Sequence, residues 1–438
     1  MAFRKIDSAS SNSLTSALNF FDVPPTNTSV SSSATREYLT LNPLTDKPYH
    51  FKVHASTSFI DLSKCYIFTE MRIRKENAAG ELVNIEAADD VSSINMIGLS
   101  FIKNIKITLN GREVYDGNSL FAYKTYMDAE LTYPETVKKS YLNAAGYYLD
   151  GDDQDAAAND GHVARKALFT RSGIAQFMAN IDADIFNSDL YLINNVELDI
   201  EILPNDNNFV LMAPTNPHAT RYHLEIISCK LYVKTIELMD GLALDIARRL
   251  EKSPARYALR KSIIKSIFIS ENRTELNASL FNDQVPRRIV IGLVENAAYV
   301  GNLEKSPFNF KPFNVREITI TAQGHTYPEA PYNLDFTTNR YVRAFHDMNE
   351  GVGVANSLES NGITFKKYKN GWTFFVFNLT NAQEDGAYFD LIKNGSTNIN
   401  IKFSQQVPAG GIVLIAHGEL DSLLMLDKNR TISSDITI

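Results

Sequence analysis

Residues 100–115 read SFIKNIKITLNGREVY, and residues 313–327 read FNVREITITAQGHTY. A single offset lays Gly111 on Gly324, Ile105 on Ile318, Ile107 on Ile320, Thr108 on Thr321, Ile102 on Val315 and Lys103 on Arg316. In both copies apolar and polar residues alternate, the period of a strand with one buried face. Both strands run into a glycine turn, Asn110-Gly111 and Gln323-Gly324, of the kind that joins two strands of a hairpin.

The correspondence continues outward in the same order. NVELDIEIL at 195–203 puts Val196, Leu198, Ile200 and Ile202 on one face, with Glu197, Asp199 and Glu201 on the other. NINIKFS at 398–404 does the same with Ile399, Ile401 and Phe403. Each half ends in a strand-rich run, LEIISCKLYVKTIEL from Leu224 and IVLIAHGELDSLLML from Ile412. Agreement in order, spacing and turn reads as a tandem duplication of one β-rich unit. The reading is all-β, as two sandwiches, and long connecting loops on units of this size favour the jelly roll. The expected domains are an N-terminal arm and lead-in segment at 1–50, a first jelly roll at 51–238, a linker helix at 239–256, and a second jelly roll with C-terminal tail at 257–438.

Composition bounds the rest. The 438 residues suffice for two or three domains. A net charge of −8 supplies no global field drawing the chain to nucleic acid or anionic lipid. No apolar run has signal-peptide or membrane-spanning character, so synthesis in the cytosol and no membrane span are expected. The sequons at Asn27, Asn272, Asn277, Asn378, Asn394 and Asn429 then read as coincidental. Cys65 shares an apolar face with Ile67, Met71 and Ile73 and reads as a buried thiol rather than a partner for Cys229.

Within the polar segment 1–40, Leu18, Phe20, Phe21, Val23, Pro24 and Pro25 form an apolar knot. Disordered tails rarely carry such a cluster, so these six residues are expected to form an arm that docks on a neighbour or on the body. LFAYKTYMDAEL (120–131) and RYVRAFHDMNEG (340–351) are helical at corresponding places in the two units. Between the units, Leu242, Ile246 and Leu250 form a stripe after a cap at Asp240, the mark of a helix that packs and fixes the spacing of the units. Trp372 opens WTFFVFNLT, apolar on both faces and expected to be central in its sheet.

Catalytic patterns are missing from the sequence: no G-x-S-x-G, no H-E-x-x-H, no G-x-x-x-x-G-K-[ST]. Gly351-Val352-Gly353 lacks the rest of a dinucleotide loop. The acidic loop with Asp150, Asp152, Asp153 and Asp155 fails the EF-hand register and is expected to be a solvated surface loop. His50 with His54, and His218 with His223, lack a third metal ligand at recognisable spacing. FKKYKNGW, with Lys366, Lys367 and Lys369, is a short basic-aromatic run expected at a solvated strand end. Neither an enzyme nor a cofactor-binding protein is expected. An architectural role is favoured, and a duplicated carbohydrate-binding or glycan-hydrolysing jelly roll is the alternative.

Several motifs together resemble a known family. FFDVPPTNTSV from Phe20, FIDLSKCYIF from Phe59, RRIVIGLVENAAYVGNLEKSPFNFKPFNV from Arg287 to Val315, NGWTFFVFNLT, FDLIKNGS and LDKNRTI occur in an order similar to that of the double jelly-roll major capsid proteins of Maverick/Polinton elements and adintoviruses. The resemblance implies two eight-stranded jelly rolls, each of two four-stranded sheets, standing side by side. It implies a homotrimer that forms a pseudo-hexameric capsomer and tiles an icosahedral shell around DNA. It further implies a virion location, a single jelly-roll penton protein as partner, and only weak or indirect contact with the encapsidated DNA.

Overall fold

The computed structural model describes residues 4–215, 220–380, 389–391 and 393–434. Eight strands build the two main sheets of the first unit: β1 (Val30–Leu39), β2 (Tyr49–Val53), β3 (Phe59–Glu76), β4 (Ile102–Leu109), β5 (Arg112–Asp116), β6 (Ala175–Asn180), β7 (Leu198–Pro204) and β8 (Tyr222–Leu238). The second repeats them as β9 (Ala255–Ile269), β10 (Glu275–Phe281), β11 (Arg288–Glu295), β12 (Val315–Ala322), β13 (His325–Tyr327), β14 (Phe374–Asn378), β15 (Thr397–Phe403) and β16 (Ile412–Leu426).

In the first unit the sheets run β1-β8-β3-β6 and β2-β7-β4-β5; in the second they run β9-β16-β11-β14 and β10-β15-β12-β13. All pairs are antiparallel. Each unit is thus a jelly roll, two four-stranded sheets face to face, with short extra strands such as Leu82–Asn84 added at an edge. The fold is all-β: a double jelly roll.

The duplication extends to irregularities that alternation alone does not require. Ile107 pairs with Ile200 and Ile105 with Ile202; Ile320 pairs with Ile399 and Ile318 with Ile401. The register slips between Ile102 and Asn104 in β4, and between Val315 and Glu317 in β12. A bulge at the same aligned residue, Lys103 or Arg316, is a built feature rather than an accident of two sheets. The turns agree as well: φ is 46° and 76° at Asn110 and Gly111, and 51° and 80° at Gln323 and Gly324. Two positive φ values in succession define the type I′ hairpin, whose twist matches that of the flanking strands and whose second position suits glycine.

Five helices matter below: α1 (Phe121–Thr132), α2 (Asp160–Leu168), α3 (Asp240–Leu250), α4 (Val342–Gly351) and α5 (Phe365–Lys369). The structure amends several sequence expectations about these elements. The first barrel begins well inside the segment read as arm and lead-in, because β1 pairs with β8 from Val30 to Leu39. This strand went unread because it is the sheet edge and shows no alternation of apolar residues, VSSSATREYL. The strand after Trp372, β14, is an edge strand and not central. Its second apolar face is covered by α4, whose Gly351 lies against Val376. The basic-aromatic run is the helical turn α5, capped by the Thr364 hydroxyl on Lys367 N, not a strand end. In α3 the cap position is Met239, and Asp240 is the first helical residue, favourable near the helix dipole's positive end. Its stripe leans on the body only through half-buried Leu242 and Ile246 and buried Leu250.

Candidate functional site

The centre of the molecule is the seam between the two barrels, and α1 fills it. A surface helix needs one apolar stripe; a helix apolar on all sides must be surrounded. In α1 Phe121, Tyr123, Tyr126, Met127 and Leu131 are all buried, together with Lys124, Thr125 and Glu130. Its far side meets an aromatic wall from the second unit. Tyr126 stacks on Phe308 with centroids 4.1 Å apart and planes 5° from parallel. Tyr123 stacks on Tyr299 at 5.8 Å and meets Phe308 edge-on. Phe310 continues the wall over Gly292, where a Cβ would lie 2.4 Å from its ring. Such ring pairs add roughly 0.5–1.5 kcal/mol each beyond their buried area.

Charged groups cross the same seam. Lys138 Nζ is fully buried and donates to Glu130 Oε2 (2.8 Å), Glu130 O (2.7 Å) and Asn361 O (2.8 Å). Tyr147 Oη donates to the other Glu130 oxygen at 2.7 Å. All three ammonium protons are thereby satisfied, the condition for keeping a charge in the interior. Lys124 Nζ lies 2.6 Å from Asp182 Oδ1 and 3.2 Å from Asp128 Oδ2. The other oxygen of Asp128 lies 3.3 Å from His417 Nδ1 in the second unit. Ser262 N, also of the second unit, donates to Asp184 Oδ2 at 3.1 Å. Arg288 grips Glu419 at 2.9–3.0 Å. Lys124, Asp128, Asp182, Asp184, His417 and Glu419 line a cavity of about 580 Å³ together with the apolar Leu99, Leu142, Met178 and Leu259.

Burial and pairing set the protonation states. Burial pushes Asp184 up to about 6. Burial also opposes the charged form of His417, but the Asp128 carboxylate outweighs it and holds the imidazole above its ordinary value. Asp128 itself is held well below the usual carboxylate range, against its burial, by His417 and Lys124.

The acidic loop is part of this seam, not a solvated loop. Asp155 accepts from Ser306 N (2.8 Å), Asn309 Nδ2 (2.7 Å) and Lys311 Nζ (3.1 Å). Gln154 donates to Gly371 O, and Lys366 pairs with Asp152. Asp150 turns inward to Arg165 of α2 (3.0 Å) and Asn95 (3.1 Å). Asp150, Asp152 and Asp155 thus each face a cationic side chain, Arg165, Lys366 and Lys311. Asn159 caps α2 through Gly161 N. On the opposite flank, Arg430 reaches Asn194 O and Oδ1, each at 2.7 Å.

The remaining sequence candidates are scattered. Leu18, Phe20, Phe21, Val23, Pro24 and Pro25 are all exposed, Phe21 at 93% and Val23 at 87%. The arm therefore projects an apolar surface into solvent. His50 and His54 are exposed beside Glu201 and Glu197. His223 meets Asn207 and Glu76, and His218 lies outside the described residues. Cys65 and Cys229 are free and buried, their thiols pushed up to about 12 by burial. Among the described residues, His346, Asp347 and Glu350 form a group of possible metal ligands, on the exposed side of α4. Also among the described residues, no helix is long and apolar enough to cross a membrane.

No family model matches the sequence. Over 393 residues the chain is 30% identical to the uncharacterized protein F54H12.2 of Caenorhabditis elegans, covering 87% of this chain and 92% of that protein. The chain belongs to the F54H12.2 family. Among solved structures, a chain of the Sputnik virophage is similar with a TM-score of 0.66 at 10% identity, covering 100% of this chain and 95% of the other. A chain of the PBCV-1 virus capsid gives 0.60 at 10% identity, over 96% and 100%. The mavirus major capsid protein gives 0.54 at 11% identity, over 100% and 97%. At such identities the likeness is one of fold, and it spans both barrels of this F54H12.2-family chain.

Two predictions follow from the seam. Lys138→Met leaves Glu130 buried without its cation and should cost about 3–5 kcal/mol in urea unfolding. The Lys138→Met, Glu130→Met double variant should recover part of that loss, since removing both charges is far cheaper than stranding one. The seam should also loosen as pH rises. The folded value of Asp184, about 6, lies above that of an unfolded aspartate, so the stability it contributes is complete in acid and is lost as pH rises through about 6. His417, held above its unfolded value, acts with the same sign. Thermal melting should therefore fall from about pH 5 to pH 8. Asp184→Asn, which still accepts from Ser262 N, should flatten that slope.

Proposed function

We propose that this chain is a structural capsid protein: a homotrimer whose six barrels form a pseudo-hexameric capsomer that tiles an icosahedral shell around a DNA genome. The observation that carries the reading is the rigid pairing of two like jelly rolls through a filled seam, in a chain that matches the similar capsid structures over nearly their whole length. Two barrels per chain let three chains occupy six nearly equivalent positions, which a single barrel would fill only as a hexamer. The resemblance of its sequence motifs to those of the Maverick/Polinton and adintovirus proteins supports the reading. On this reading it resides in the virion, a single jelly-roll penton protein closes the vertices, and DNA contact is weak, in keeping with the net charge of −8.

The glycan-binding alternative needs carboxylates or aromatic rings free to face a sugar in a cleft. In the seam cavity Asp128, Asp182 and Glu419 are engaged with Lys124, His417 and Arg288. A non-enzymatic, architectural role is therefore favoured.

The exposed apolar arm is assigned to assembly. An isolated patch of Leu18, Phe20, Phe21 and Val23 gains by burial roughly 25 cal/mol per Å² once a neighbour covers it.

Light scattering of the purified chain should give three times the chain mass, and negative-stain images should show triangular or hexagonal particles; a stable monomer at micromolar concentration would sink the proposal. Deletion of residues 1–28, which spares β1, should leave the thermal melt unchanged and reduce formation of higher assemblies. Shells formed as readily by the truncated chain would remove the arm from the assembly scheme.

A further inference from the structure

The two units carry the same sheet, but its outer face is treated differently in each. In β16, Gly418 points inward at Phe281 of the facing sheet, so Val413, Ile415 and His417 point outward. With Val290 and Val294 of β11, they are at most 3% exposed. Over this face Asp128 of α1 meets His417, the Phe310 ring lies on Gly292, and Gly351 of α4 lies on Val376, the register partner of Val290. In the first unit the inward residues are Cys65, Ile67, Met71, Leu231 and Val233, all buried. The outward ones are Tyr66 and Phe68 on β3, Met178 on β6 and Tyr232 on β8. Phe68 and Met178 are register partners, and the Phe68 and Tyr232 rings meet edge to face at 6.2 Å. This face is half-open, with Met178, which also lines the seam cavity, 37% exposed; Lys230, the register partner of Phe68, shares the face, and Glu70 and Arg72 stand beside it.

The covering helices are unequal in the complementary way. α1 and α4 occupy corresponding places in the two units, and their leading residues share one backbone geometry: φ −123°, ψ 17° at Leu120 and φ −137°, ψ 15° at Tyr341. α1 is buried along nearly its whole length between the units. α4 buries Ala344 and Met348 against its own barrel and leaves Val342, Arg343, His346 and Glu350 exposed, Val342 at 63%. One helix is used on both sides and one on a single side; one sheet face is covered and one is open.

We propose that the exposed side of α4 lies across the Tyr66–Phe68–Met178–Tyr232 face of a second copy, repeating between chains the contact that α1 makes within one. The occupant of the open face is thus another copy of this chain. The contact is heterologous, α4 of one copy to the first-unit sheet of the next, so it closes a ring when the rotation per copy is right. The sheet side brings the aromatic and methionine side chains, the helix side brings Val342 with His346, and Arg343 and Glu350 face a rim that carries both charge signs. The inference rests on the self-association reading above and names the surfaces that would carry it.

The test uses the full chain and two blocked variants. Phe68→Glu with Met178→Glu spoils the sheet face; Val342→Glu spoils the helix. Met178→Glu alone, at a more exposed position, guards against a folding defect, and circular dichroism melts confirm that each variant is folded. Each variant alone should drop from the wild-type oligomer to the mass of one chain in light scattering. Mixed in equal amounts, they should form a species of two chains and no larger, because one sound helix meets one sound face and the remaining two surfaces are blocked. Folded variants that keep the wild-type mass, or a mixture that stays at one chain, would overturn the interface while leaving self-association intact. A wild-type chain that is itself monomeric would overturn both.

Discussion

Helix α1 can be buried only if something answers each polar group it takes inside. Lys124, Glu130 and the nearby Lys138 leave water, and an unpaired charge there is more costly than the pairing returns. Their partners come from both units: Asp128 and Asp182 from the first and the Asn361 carbonyl from the second, with Asp128 in turn meeting His417 of the second. The barrels consequently have one relative placement in which every charge is met, and sliding by a few ångströms strands at least one of them. The aromatic wall supplies attraction between the units, and the charges supply its register.

This division of labour changes what the linker has to do. α3 was expected to set the barrel spacing, yet it touches the body along a thin stripe with Leu250 as its one buried residue. The seam holds the barrels, so α3 needs only to bridge the end of β8 and the start of β9. The acidic loop makes the same point. Its carboxylates read as surface charge because nothing local neutralises them. Their partners, Ser306, Asn309, Lys311 and Lys366, lie some 150–215 positions away in sequence, where no local pattern links them.

The barrel strands were legible for the opposite reason. Alternation, the type I′ turns and the strand order are each written within a few residues, and the duplication wrote them twice. Where one face stayed solvated, as in β4, β7, β12 and β15, the alternation survived and the reading held. Where tertiary packing covered the second face, periodicity was lost. β14 looks central because α4 hides one side, and β1 looks like tail because an edge strand with a wet face needs little hydrophobicity. The seam residues carried a faint signal: in α1 the large apolar residues Phe121, Tyr123, Tyr126, Met127 and Leu131 are spread around the helix rather than gathered in one stripe. That pattern indicates a surrounded helix, but it does not say what surrounds it.

The two units therefore share a backbone plan and have diverged where they meet. An isolated second barrel would bare the Tyr299 and Phe308 rings that Tyr123 and Tyr126 of α1 cover, an apolar aromatic surface of the kind that monomers rarely leave open. An isolated first barrel would carry α1 with its aromatic side uncovered. Neither unit is self-sufficient, although each has a complete set of eight strands. Fusion in one chain keeps the two halves of this contact at a fixed ratio and next to each other, and removes the choice of partner for the tightest surface in the molecule. What remains outside is the looser complement: an arm that presents Phe20 and Phe21, a helix covered on one side, and a sheet face that is only half closed. A molecule so arranged has spent its most hydrophobic surfaces internally and leaves the milder ones outside, where they do not compete with the contact that joins the two units during folding.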